Sequence, residues 1–259
     1  MGSAKGEQTT VAKSSRRKTV TPPTTAALAD APVTVSEENL SHNLYGQRLG
    51  RKGRDTRDKI IAAAQTLLAR PDAGPITLSA VAREVPLGMT TLYLYFSDLT
   101  ELLLAVLEPV MATAEDAYLG AIRTRWDDDR LAEECYAFML RYHEFWARHT
   151  QVLHLRNAMA DQHDRRMLLH RVQAATDLIN LVVRQMDGDP AETQSRTFDM
   201  ATVLMTGVER VVTMATSTDV HDVIVRSRPI PGQRMEAVAR LMELAIREHR
   251  PGGPACVAR

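Results

Sequence analysis

Two cysteines, Cys135 and Cys256, are all that 259 residues contain, too few and too far apart to suggest a disulfide framework or a thiolate zinc site. No apolar run approaches the ~18 residues of a membrane span. Residues 1–30 have no apolar core of the secretory type, so the chain is expected in the cytoplasm with no membrane partner. Missing too are His-Glu-x-x-His, a G-x-S-x-G elbow and a phosphate-binding glycine loop, which leaves metal, nucleophilic and nucleotide chemistry without a motif. No cofactor or metal is therefore expected. Aromatic residues make up only 5% of the chain, so any local concentration of them is informative. What remains, 44% hydrophobic and 25% charged, is the composition of a globular chain with a substantial core.

The formal net charge is zero, and it conceals an asymmetry. Residues 1–59 hold 11 Lys and Arg against 6 Asp and Glu, net +5, and residues 60–259 hold 21 against 26, net −5. A cationic leading segment before an acidic, solvated body is what an electrostatic footprint on DNA looks like. Residues 1–47 are rich in Thr, Ser, Ala and Pro with no sustained period, and read as a disordered extension. A stretch then interleaves glycine with cations, and its end, to about residue 54, reads as a basic arm able to place Arg51, Lys52 or Arg54 in a minor groove. A solvated linker is the plain alternative.

Residues 77–96, TLSAVAREVPLGMTTLYLYF, read as two short helices joined by a tight turn. Thr77 is the expected N-cap of the first, with Leu78, Val81, Ala82 and Val85 at helical spacing. In the second, Met89, Leu92 and Phe96 share one side, while Thr90, Thr91 and Leu94 share the other, and Tyr93 and Tyr95 fall on the edges. An apolar back, a small hydroxyl-and-methyl front and flanking phenols suit a major groove with phosphates on either side. Upstream, Ile60, Ile61, Ala64, Leu67 and Leu68 predict a helix capped by Asp55 or Thr56. Downstream, Asp98-x-x-Glu101 predicts a capping-box start for a fourth helix that Pro109 ends or kinks.

The closing hexapeptide, Thr91-Leu92-Tyr93-Leu94-Tyr95-Phe96, together with the helix before it and Glu101-Leu102 after it, resembles the TetR family of bacterial transcriptional regulators. The resemblance covers residues 56–102. It implies a helix-turn-helix unit at residues 55–108, double-stranded operator DNA as partner, and a homodimer. Pro86 departs from the pattern where the family usually has a turn glycine, and Gly88 is the residue expected to supply the left-handed conformation instead.

Past Pro109 nothing reads as strand, so the fold class is all-α, with residues 109–250 as a helical ligand-binding and dimerisation domain and 251–259 as a tail. The helix at about 130–149 carries Leu131, Cys135, Phe138, Met139, Tyr142, Phe145 and Trp146. Such a stripe is core, or the lining of a site for an apolar or amphipathic small-molecule effector at Phe138, Tyr142 and Trp146. A helix from 190 to about 217 aligns Met205, Val208 and Val212 beside Gly207, and the last, about 234–250, aligns Met235 and Met242. The resemblance implies that these two helices pair across a dimer. The stripes also fit a core within one chain. His143, His149, His154, His163 and His170 read as surface residues, and an all-helical enzyme built on them is the alternative, beside a helical interaction protein with a vestigial helix-turn-helix.

Overall fold

Helix signals along the chain are converted into helices almost one for one. The computed structural model describes residues 49–70, 74–217 and 231–251. The expected extension 1–47, residues 71–73, Cys256 and the tail beyond residue 251 lie outside the described residues. Among the described residues every regular element is helical: α1 (Arg51–Leu68), α2 (Leu78–Glu84), α3 (Met89–Tyr93), α4 (Leu99–Ala112), a π-helical turn (Glu115–Leu119), α5 (Gly120–Arg123), α6 (Leu131–Arg148), α7 (Thr150–Asp161), α8 (Arg165–Gln185), α9 (Arg196–Thr216) and α10 (Pro231–His249).

Helix α1 starts earlier than its sequence signals predict. The helix begins at Arg51, not at Asp55 or Thr56, so Arg51, Lys52 and Arg54 occupy its first turn and do not form an extended arm. The cause is local. Gly50 is extended and caps the helix, its carbonyl accepts from the Arg54 N–H at 3.0 Å, and Leu49 folds back, buried, over Gly53. A Cβ on Gly53 would lie 2.8 Å from Leu49 Cδ2, so this glycine leaves room for a hydrophobic anchor.

The α2–α3 turn also differs from expectation. Gly88 has φ −69°, ψ 152°, and no non-glycine residue of the turn has positive φ, so no left-handed residue is used. Pro86 instead follows an extended Val85 (φ −107°, ψ 137°), the conformation that a residue before proline prefers. Thr77 caps α2 by accepting from the Ala80 N–H at 3.1 Å. At the head of α4, Asp98 accepts from the Glu101 N–H at 2.9 Å while Glu101 reaches back to the Ser97 N–H at 2.7 Å.

Helix α4 passes through Pro109, so the boundary predicted at residues 108–109 falls inside a helix. The chain continues through the π-helical turn, which shifts the helical phase beyond residue 119 and buries Tyr118. Helices α6 to α10 then pack as a bundle: α10 lies on α6, and α9 lies against α8, α10 and α6. Helix α9 starts at Arg196, capped by Ser195, six residues later than Pro190; α10 starts at Pro231, earlier than residue 234.

One buried side chain fastens three parts of the bundle. Gln185, at the end of α8, donates to the carbonyls of Ile122 (2.9 Å) and Thr124 (2.7 Å) and accepts from the Trp126 N–H (3.0 Å). Its backbone carbonyl accepts from Arg250 Nε at 2.8 Å, and Arg250 also pairs with Asp128. Arg250, the last residue of the expected helical domain, is thus buried core.

Candidate nucleic-acid interface and ligand cavity

Helix α3 is five residues long, ending at Tyr93 and not at Phe96, and it and the turn after it divide sharply into two sides. Leu92 and Phe96 are fully buried, while Thr90 is exposed, Thr91 half-buried, Tyr93 46% exposed and Leu94 36% exposed. Tyr95 is half-buried and packs at the edge of the core. The structure therefore brings Thr90, Thr91, Tyr93 and Leu94 together outside an apolar back formed by Leu92 and Phe96. Thr77, exposed at the head of α2, spends its hydroxyl on its own cap. Arg51, Lys52 and Arg54 are exposed on the first turn of α1, which holds no acidic residue. Cations there oppose the helix dipole and gather positive charge at one end.

Sequence reasoning missed Arg57. Its guanidinium lies 5.2 Å from the centre of the Phe96 ring and is buried, which lowers its pKa. It fastens α1 to the segment just after α3.

A cavity of about 50 Å³ lies inside the bundle, walled by Tyr118, Tyr142, Phe145 and Trp146 on one side and by residues of α7, α8 and α9 on the other. Of the three effector-site residues predicted, Tyr142 and Trp146 line it. Phe138 does not: it is fully buried one turn away, stacked on Tyr142 at 6.0 Å and packed against Tyr118 and Trp126. Tyr118 replaces it, 5.0 Å from Tyr142 and 5.1 Å from Phe145. Burial drives the Tyr118 phenol up to about 12 and raises that of Tyr142 as well.

The far wall is mostly apolar but carries one charged cluster. Arg156 is 4% exposed, its guanidinium 5.6 Å from the centre of the Trp146 ring. Its Nε donates to Asn157 Oδ1 at 3.1 Å, and its Nη2 is 3.7 Å from Glu209 Oε1. That same oxygen accepts from Asn157 Nδ2 at 3.0 Å and lies 3.3 Å from Arg171 Nε. Burial lowers the Arg156 pKa, with Glu209 opposing the shift. By residue type alone these residues resemble solvated surface. The available signal was phase: Arg156 and Asn157 continue the buried stripe of Val152, Leu153 and Ala160 along α7.

The histidines do not gather, and among the described residues no three His, Cys, Asp or Glu side chains are placed to hold a metal ion. They are not all surface residues either. His163 is exposed, whereas His170 is pushed down to about 4, first by burial and then by the charge of Arg156, and its Nδ1 has no partner among the described residues.

The dimer residues require correction. Met205, Val208, Val212, Met235 and Met242 are all buried within the one chain, none more than 4% exposed, because their stripes face α6, α8 and the opposing α9–α10 contact. Gly207 alone of the six is exposed, with nothing within 4 Å of where a Cβ would stand. Away from the core, α9 exposes Val203 (70%), and α10 exposes Leu241 (57%) and Leu244 (47%).

Searches against protein-family models and curated proteins gave no match to this chain.

Proposed function

We propose that the protein is a DNA-binding transcriptional regulator, a homodimeric repressor that binds a palindromic operator through a helix-turn-helix formed by α2 and α3 and is released by a small organic ligand. The observation that carries this reading is the division of α3, whose hydroxyl, phenol and methyl groups stand outside while Leu92 and Phe96 anchor it from behind. Such a helix can enter a major groove without disturbing the core that positions it. Arg51, Lys52 and Arg54, at the positive end of α1, would neutralise phosphates from the helix itself. Replacing each with Ala is expected to lower the slope of log affinity against log salt by about 1.

Two half-sites require two copies. The exposed apolar side chains of α9 and α10, Val203, Leu241 and Leu244, with Gly207 beside the first, are the face offered to the second copy, since the stripes first expected there are occupied by the chain's own core.

Ligand response has a physical route. Helix α8 carries Arg171, Ala174 and Leu178 on the cavity wall, and its N-cap Asp164 accepts from Thr100 Oγ1 of α4 at 2.5 Å. Close by on α8, Arg166 donates to Asp98, the N-cap of α4, at 2.8 Å. A ligand that widens the cavity against α8 therefore acts on the helix that succeeds the reading unit, with coupling of the usual order, roughly 1–3 kcal/mol.

Genomic selection of bound DNA tests the proposal. Recovery of a palindromic motif, with half-sites spaced by about one helical turn or a multiple of it, is expected. Absence of any salt-sensitive DNA affinity overturns it in favour of a helical interaction protein.

A further inference from the structure

On the premise that the cavity takes a ligand, we infer that the effector is an organic anion, a carboxylate on an aromatic or aliphatic body. Its charged end would sit against Arg156 and Arg171, and its body between Tyr118, Tyr142 and Trp146.

The inference rests on how the guanidinium of Arg156 is provided for. A guanidinium has five N–H groups, and at 4% exposure those of Arg156 that make no bond within the chain meet only a small cavity with room for about one or two waters. Among the described residues Arg156 donates one hydrogen bond, from Nε to Asn157. Glu209, the nearest carboxylate, stands off at 3.7 Å, its Oε1 already shared between Asn157 and Arg171. The terminal nitrogens thus lack a hydrogen-bonded acceptor among the described residues, on a side chain that lines the cavity. A planar carboxylate matches that fork in a way that an alcohol or an amine does not.

The arrangement of charge points the same way. The charged side chains on the cavity wall are Arg156, Arg171 and Glu209, and Arg171 is also paired with Asp161 at 3.0 Å, so Arg156 is the cation without a close carboxylate of its own. An anion takes that position in a site where burial makes charge expensive, whereas a cation would face Arg156 directly. Apolar and aromatic groups opposite supply the remaining affinity, with Arg156 already held over the indole face of Trp146.

Size adds a condition. A volume of about 50 Å³ is near that of one or two waters and far below the ~300 Å³ of a typical ligand pocket. Binding must therefore move the wall. Met111 and Met205, which contribute to it, are the side chains best able to re-pack.

The test uses the full-length protein and four matched probes: 2-naphthoate, decanoate, 2-naphthalenemethanol and 2-naphthylmethylammonium, titrated by tryptophan fluorescence and by calorimetry. At least one anion should bind about tenfold or more tighter than the alcohol, as charge-assisted hydrogen bonds imply, and the ammonium should bind least. Arg156→Gln should bring anion affinity down to that of the alcohol. Glu209→Gln keeps the acceptor for Asn157 and removes the competing carboxylate, so it should tighten anion binding by about tenfold. A merely structural ion cluster gives no such opposite sign. If Arg156→Gln fails to fold, the wild-type ranking and Glu209→Gln still decide. Equal binding of alcohol and anion, or no gain in Glu209→Gln, overturns the anion inference and leaves the cavity reading standing. Binding of none of the four overturns both.

Discussion

The three-helix unit at residues 51–96 and the bundle behind it solve opposite problems with polar side chains. In the first, the only buried polar side chain among the described residues is Arg57, stacked on Phe96, and the threonines and phenols stand outside or at the edge. In the second, Arg156, Asn157, Gln185, Glu243 and Arg250 are drawn inside. Polar groups on the outside of a small unit cost the fold little and remain available to a partner surface. Polar groups inside a bundle must be satisfied one by one, so they either fix the packing or await a molecule. Gln185 and Arg250 do the first; Arg156 is the candidate for the second.

The comparison is broken most severely at Gln185. Gln185→Leu keeps the volume but strands the carbonyls of Ile122 and Thr124 and the Trp126 N–H, with Arg250 losing part of its seat. A loss of about 2–4 kcal/mol is expected in denaturant titration, the size associated with buried groups left without partners. Thr90→Ala, in the unit that keeps its polarity outside, should stay within about 0.5 kcal/mol of wild type. Similar losses for the two variants would erase the distinction.

His170 sharpens it through pH. Its folded pKa of about 4 lies below the unfolded value of about 6.5. Between those values the unfolded chain takes up a proton that the folded one refuses, so stability is complete above pH 6.5 and falls as the pH drops toward 4. The fall amounts to at most about 3 kcal/mol. His170→Leu should flatten that part of the curve. An unchanged curve in the variant would place the pH dependence elsewhere.

Tyr93→Phe probes the outer face. At 46% exposure the phenol contributes little to folding, and melting should not change. Affinity for the operator should fall by about 1 kcal/mol, the worth of one hydrogen bond, and by the same factor on every sequence, because phosphate contacts position without reading bases. Leu94→Ala should instead alter which bases are preferred.

The same division decides how far these features were legible in the sequence. Leu92 and Phe96 could be read because burial on one side of a short helix leaves a clear apolar period. The start of α1 could not, since cations and Gly53 are poor helix signals and Leu49, which anchors the turn, lies outside the helix. Tyr118 was missed because the π-helical turn shifts the phase on which periodicity depends. Arg156 and Glu209 were not legible, because charge is normally outside. On α9 the apolar period was found, but Val203 and Met205 lie on different sides of one helix, and periodicity alone does not say which side the chain keeps for itself.

Gly207 gives the finest test of that last ambiguity. It lies inside α9, exposed, with open space where a Cβ would be. Within a single chain nothing calls for glycine there, and Gly207→Ala should stabilise the helix by about 0.8–1 kcal/mol through propensity alone. If a second copy packs its backbone close to α9 at this point, the added methyl group must be accommodated at the interface. The two effects separate by concentration. In dilute solution, where the chain is monomeric, Gly207→Ala should raise the melting temperature by a few degrees. Sedimentation equilibrium should show weaker self-association, whereas Val203→Glu should abolish it without lowering helical content. A gain in monomer stability with unchanged association would leave Val203, Leu241 and Leu244 as the face and remove Gly207 from it; unchanged association in Val203→Glu would remove the face itself.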